Sequence, residues 1–360
     1  MSETVFGVDA RELLGATTGV GRYLGELLQR WARTSGGSRR FVLYSPEPLS
    51  AFFSDHFETK VIRGRANTLW EQLQLRAAVN ADRPDVFFAP AYTAPLRIKV
   101  PFAVTIHDVS FSAHPEWFRW REGTRRRFVT RRAARHAAQI LTDSAFSRSE
   151  IAHHYEVPIE RIEVIAPGVT RRTPGSPGGR EPLVLFAGSV FNRRRVPDLI
   201  AVFAAVAREV PAARLVIVGE NRTWPPQDLA AVARSHGVAD RVDLRDYVAD
   251  QELASLYARA SAFAFLSEYE GFGLTPLEAM SAGVPVVVLD TPVAREVYGP
   301  AARYVPRGDV HAAAGVLRQL LTVARADIPE LCQAPAVLDR YSWDTAASRT
   351  LDALDRIAAR

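Results

Sequence analysis

The chain has 360 residues, 48% of them hydrophobic and 24% charged, which suits two ordinary cores and excludes a disordered chain. Its one cysteine, Cys332, excludes an internal disulfide framework, and no apolar run reaches the roughly 18 residues of a membrane-spanning helix. A formal net charge of +5, carried almost entirely on arginine, fits acidic partners such as nucleotide sugars or anionic lipid surfaces better than nucleic acid. The opening MSETVFGVDA has neither a basic nor an apolar leader segment, and the expectation is a cytoplasmic protein.

In chain order, short apolar runs alternate with helical stretches. Strands are expected over 4–9, 41–45, 85–90, 102–108, 139–144 and 161–166, and this alternation predicts a parallel sheet. Between the first strand and its helix lies Gly15-Ala-Thr-Thr-Gly19-Val-Gly21, a glycine-rich loop whose backbone N–H groups could meet a diphosphate or leave room for an acceptor. His107 and Asp108 end the strand over 102–108, either as a structural hydrogen-bonded pair or as ligand contacts. Over 117–137 the sequence WFRWREGTRRRFVTRRAARHA packs eight arginines between Arg119 and Arg135 against one acid, Glu122. At helical spacing Arg127, Arg131 and Arg135 share one face and Val129, Ala133 and Ala137 another. The arginine face suits anionic lipid or a lipid diphosphate, and equally an ordinary solvated helix.

The stretch 170–182, TRRTPGSPGGREP, lacks apolar periodicity and reads as a linker. A second run of strands follows in LVLFAGS, RLVIVGE, RVDLRDY, AFAFLS, PVVVLD and ARYVP, and the chain ends in an amphipathic helix within YSWDTAASRTLDALDRI. The expected organisation is 1–170, a linker over 171–182, 183–340, and a terminal helix over 341–360. After the strand over 183–187, Arg193, Arg194 and Arg195 precede a helix, a setting for phosphate.

Glu270 and Glu278 bracket EGFGLTPLE. Glu270 follows a buried-type strand, where ligands bind in open α/β sheets, and a carboxylate can accept hydrogen bonds from vicinal hydroxyls. Gly271 and Gly273 allow a turn with positive φ, Thr275 is the expected helix N-cap and Pro276 the first helical residue. Thr275-x-x-Glu278 therefore also reads as a capping box, which would give Glu278 a structural role.

This stretch resembles the E-x7-E motif of retaining family 4 glycosyltransferases, and the resemblance extends over nearly the whole chain. It implies an α/β protein of the GT-B fold, with two Rossmann-like domains facing across a cleft and a C-terminal helix crossing back to the N-terminal acceptor domain. By the same resemblance Glu270, with the backbone of Gly271, Phe272, Gly273 and Leu274, contacts the transferred hexose, and Glu278 contacts the ribose. Arg193 and Arg194 hold the diphosphate; the family's usual lysine aligns with Arg194. His107 faces the donor sugar, Gly19 and Gly21 belong to a loop similar to the family's GVGRY, and Tyr247 and Val248 meet the nucleobase.

The expected activity is metal-independent, retaining transfer of a hexose from a nucleoside-diphosphate sugar, with mannose on GDP as the first choice. The acceptor is a free or lipid-linked hydroxyl, and neither a cofactor nor nucleic acid is expected. The alternatives are an epimerase on the same fold or a non-catalytic nucleotide-sugar-binding subunit. There is no HExxH, Walker loop or GxSxG, and Lys60 and Lys99 are misplaced for a pyridoxal Schiff base.

Overall fold

The structure is a computed structural model that describes residues 3–15, 19–34, 38–172 and 180–360. The chain divides into two compact units, Met1–Ala113 with Arg121–Gly168 and Tyr341–Arg360, and His114–Trp120 with Val169–Arg340.

In the first unit the strands are β1 (Thr4–Asp9), β2 (Arg39–Ser45), β3 (Glu58–Val61), β4 (Val86–Ala89), β5 (Phe102–Thr105), β6 (Gln139–Thr142) and β7 (Ile162–Val164). In the second they are β8 (Glu181–Ala187), β9 (Arg214–Val218), β10 (Val242–Arg245), β11 (Ala260–Phe265), β12 (Val286–Leu289) and β13 (Ala302–Val305). Every apolar run expected to be a strand forms one. Several of these strands stop two or three residues before the end of the expected run, as β5 does at Thr105 and β6 at Thr142.

All strand pairs are parallel, in the orders β3-β2-β1-β4-β5-β6-β7 and β10-β9-β8-β11-β12-β13. Each order reverses once, between β1 and β4 in the first sheet and between β8 and β11 in the second. A crevice opens at such a reversal because the flanking helices lie on opposite faces. The unexpected strand is β3, a four-residue edge strand on β2 with no fully buried position and so no apolar signature.

The core of the first unit joins Phe6, Val8, Leu43 and Phe88 of the sheet to Leu27 and Trp31 of the helix Gly19–Thr34. The terminal helix Trp343–Ala358 adds Trp343, Ala346, Leu354 and Ile357 to the same core. Trp31 Nε1 donates to Ala347 O at 3.0 Å, and Arg39 pairs with Asp355 at 2.7 Å. Gly168 makes this packing possible, since a Cβ there would fall on the backbone of Trp343.

One segment from the N-terminal half of the sequence, His114–Trp120, groups with the second unit. Its His114 and Trp117 rings stack at 4.0 Å and meet Tyr269 edge-on, while Arg119 lies 4.6 Å over the Trp224 ring.

Candidate functional site

Buried charge gathers where the second sheet reverses. β8 ends at Ala187, and Gly188 follows with φ +129°, a backbone that favours glycine; a Cβ there would lie 2.5 Å from Arg194 Nη1. The short turn Asn192–Arg194 returns beneath the residues that follow β11. Arg193 O accepts from the Glu268 backbone N–H at 2.8 Å and from Ser267 Oγ at 3.3 Å, which laces the two loops together.

Glu270 is 8% exposed. Its Oε1 accepts from Arg194 Nε at 3.0 Å and from Ser267 Oγ at 2.9 Å, with Arg193 Nε at 3.6 Å. Burial works against the charged form, but Arg194 and Arg193 beside it, with the Arg194 and Ser267 hydrogen bonds, hold this carboxyl below the usual carboxylate range. Two guanidinium groups around one carboxylate leave this corner one positive charge in excess. Arg194 is nevertheless committed to the protein, since its Nη1 also donates to Ser189 O at 2.8 Å. Besides the phosphate contact expected of it, Arg194 thus anchors Glu270.

The turn after Glu270 differs from its expected form. Among the turn's glycines Gly273 alone has a positive φ, +90°, and it is the N-cap of the helix Leu274–Ser281. Thr275 is therefore inside the first turn, not the cap, and Pro276 is the third helical residue. Thr275 Oγ1 is buried without a hydrogen-bond partner. The N-cap carries no side-chain cap bond and Thr275 is not the cap, so the Thr275–Glu278 capping box does not form: the helix starts two residues earlier because glycine accepts the left-handed cap conformation without a side chain. Glu278 is buried within that helix, its Oε2 3.8 Å from Arg172 Nη2, and Arg172 lies over the Tyr257 ring.

Tyr247 and Val248 follow β10, which lies two strands from β8. The Tyr247 ring is 82% exposed and Val248 is buried, so only the tyrosine offers an open surface to a flat base.

In the first unit His107 follows β5. Its Nδ1 is 2.8 Å from Asp143 Oδ2 and its Nε2 3.1 Å from Pro90 O. Both neighbours are acceptors, so the ring satisfies both only with two N–H groups, as an imidazolium. Burial opposes that charge, but Asp143 outweighs it and the pKa is raised. The ring nitrogens are thus held by protein groups, and the Tyr23 and Tyr92 rings lie edge-on to the imidazole. Asp108 accepts from Tyr92 Oη at 3.2 Å and from the Ser110 N–H at 2.8 Å, a local structural role. Gly19 and Gly21 begin the helix Gly19–Thr34 and do not form a loop; Gly15 has φ +74°, and residues 16–18 lie outside the described residues. Most of the linker expected over 171–182 also lies outside them, at 173–179.

Sequence reasoning missed a second buried cluster, at the reversal of the first sheet. Arg11 Nη2 reaches Asp9 Oδ2 at 3.1 Å and Glu71 Oε1 at 3.0 Å, and Thr93 Oγ1 donates to Glu71 at 2.7 Å. Burial pushes Asp9 up to about 6. Glu71 sits in a π-helical stretch, Trp70–Leu75, which no periodicity announces. Asp143 and Ser267 were also missed, although both stand at strand ends, the position that singled out His107 and Glu270.

The arginine-rich segment forms the helix Trp120–His136, with Val129, Ala133 and Ala137 buried. The expected arginine face is largely engaged: Arg127 donates to Phe111 O, while Arg131 and Arg135 pair with Glu156. Among the described residues, Arg121, Arg125 and Arg132 have no ion pair, and at helical spacing they share a face with Phe128, which is 59% exposed. No helix among the described residues is long and apolar enough to cross a membrane, and no group of three or more His, Cys, Asp or Glu could hold a metal ion.

Two Rossmann-like units, with a carboxylate between arginines at the reversal of the second sheet, define the GT-B architecture. Anabaena HepE, solved with UDP and glucose, superposes with a TM-score of 0.76 over 98% of this chain and 99% of its own, at 18% identity. The profile described as Glycosyltransferase Family 4 matches residues 17–172, and that described as Glycosyl transferases group 1 matches residues 171–330. The O-antigen chain mannosyltransferase B of Escherichia coli is 28% identical over 284 residues, 74% of this chain and 73% of its own. The GDP-mannose:cellobiosyl-diphosphopolyprenol alpha-mannosyltransferase of Xanthomonas campestris is 31% identical over 198 residues, 53% of this chain and 52% of its own. The chain belongs to the family 4 glycosyltransferases and is a glycosyltransferase of glycan biosynthesis.

Proposed function

We propose that this enzyme moves a hexose, mannose in the first instance, from a nucleoside-diphosphate sugar to a hydroxyl of a growing glycan, with retention at the anomeric carbon and without a metal ion. The observation that carries this reading is Glu270, buried and ionised between Arg193 and Arg194 at the carboxyl end of β11. Its Oε1 is occupied by protein donors, which leaves Oε2 for sugar hydroxyls. The excess positive charge offsets the charge that develops on the diphosphate as the glycosidic bond breaks. The acceptor oxygen then bonds to the anomeric carbon on the face the diphosphate leaves, and its proton passes to the departing phosphate oxygen. Glu278 takes the ribose and Tyr247 stacks on the base. GDP-mannose is the donor named for one relative, and the family resemblance points the same way. An epimerase or an idle subunit has no support among the relatives, which are named as transferases.

A thermal-shift screen with GDP, UDP, GDP-mannose and UDP-glucose tests the donor. A true donor at about 100 times its dissociation constant adds roughly 2.7 kcal/mol. No shift with any of the four would remove the nucleotide-sugar reading.

The acceptor in this proposal is lipid-linked, and the enzyme meets it at the inner face of an anionic membrane. Arg121, Arg125 and Arg132, on one helix face with the exposed Phe128, supply charge for lipid phosphates and a ring for the interface. The protein is expected to co-sediment with phosphatidylglycerol vesicles at low salt and to be released as ionic strength rises. Replacing the three arginines by glutamate should abolish sedimentation and leave nucleotide binding unchanged. Equal sedimentation with neutral vesicles, or none at either salt, would leave a solvated helix.

A further inference from the structure

The turn Gly271–Gly273 is held from behind by a residue that none of the motifs contains. Tyr298, 2% exposed, closes the helix Pro292–Tyr298. Its Oη donates to Gly273 O at 2.9 Å, with Phe272 O at 3.4 Å. A Cβ on Gly273 would collide with that same Oη, so glycine is required there both by its φ of +90° and by the tyrosine.

The tyrosine's own position is fixed. Thr291 Oγ1 caps its helix by accepting from the Ala294 N–H at 3.3 Å, Pro292 occupies the first helical position, and Gly299 ends the helix with φ +49°. From the far side, Arg340 Nη2 donates to Glu296 O at 3.0 Å.

A trans peptide is planar, and its C=O and N–H point in opposite directions. A hydroxyl that fixes the carbonyls of Phe272 and Gly273 therefore also fixes the N–H groups of Gly273 and Leu274, and turns them away from the tyrosine. Leu274 opens a helix whose first N–H groups have no partner within the helix and carry the positive end of its dipole. We infer that Tyr298 is a positioning residue for the donor: by holding the Phe272 and Gly273 carbonyls it aims the adjacent N–H groups at the diphosphate and sugar. The inference rests on the proposed nucleotide-sugar site and adds a residue to it.

The test compares the unaltered protein with Tyr298→Phe by titration calorimetry with GDP-mannose, UDP-glucose, GMP and UMP. The monophosphates lack the β-phosphate and sugar that the turn would meet. Binding of the preferred nucleotide sugar should weaken about tenfold, and binding of the matching monophosphate by less than about twofold, because one directed hydrogen bond is lost on one part of the ligand.

Gly273→Ala, made in the unaltered protein and in the Tyr298→Phe variant, gives a second readout. The added methyl group meets Oη only where the tyrosine is present, so the alanine should cost less affinity in the Tyr298→Phe background than in the unaltered one. Unchanged nucleotide-sugar affinity in Tyr298→Phe would overturn the inference, as would equal losses for sugar nucleotide and monophosphate. If the unaltered protein binds none of the four ligands, the donor reading fails and this inference fails with it.

Discussion

Arg194→Ala is expected to lower turnover by about 10²–10³-fold, the scale of losing one preorganised charge stabiliser at a transition state. In the structure the guanidinium fixes Glu270 through Nε while Nη1 holds Ser189 O. In the proposed reaction it also carries half of the positive charge that faces the leaving diphosphate. Alanine removes both and leaves a buried carboxylate with Arg193 at 3.6 Å and the Ser267 hydroxyl. Folding stability should fall too, by about 1–3 kcal/mol for the weakened buried group. Arg194→Lys restores the charge but not the fork, since an ammonium is a point donor and cannot reproduce the two fixed directions. Its turnover should therefore lie between those of alanine and arginine. Single-turnover rates at saturating nucleotide sugar separate the chemical effect from binding, and an alanine variant as fast as the unaltered enzyme would take this loop out of the active site.

Glu278→Gln is expected to weaken nucleotide binding by about 10–100-fold, the range for a hydrogen bond to a charged group, with only a small change in melting temperature. The two effects separate because the N-cap of the helix Leu274–Ser281 is Gly273 and not Thr275, so Glu278 is not the partner of a Thr275 capping box. Glutamine keeps the length and shape of the side chain but loses the charge that faces Arg172 and the full acceptor capacity two ribose hydroxyls would use. Calorimetry with the preferred nucleoside diphosphate, beside a thermal melt without ligand, decides the matter. Unchanged affinity with a lowered melting temperature would return Glu278 to a structural role.

Much of the fold was legible because parallel sheets bury both faces of their strands. Runs such as LVLFAGS and AFAFLS are continuously apolar and end at polar or glycine residues. The edge strand β3 was not legible, because an edge carries no such constraint. The N-cap of the helix Leu274–Ser281 differs from the expected one for a local reason: Thr-Pro is a strong starting signal, but Gly273, two residues earlier, accepts the left-handed cap conformation and its carbonyl is held by Tyr298.

The sequence by itself determined the class of protein and placed Glu270, Glu278 and the 193–195 arginines at strand ends, since they are neighbours along the chain of the glycines and strands that position them. Tertiary structure alone decided what those groups do to one another. Arg194 and Glu270 are 76 residues apart and His107 and Asp143 are 36 apart, and they meet only because strand ends converge on one edge of a sheet. Ionisation was decided there as well. A carboxylate or an imidazole titrates according to burial and the charges beside it, and neither can be read from the order of residues along the chain.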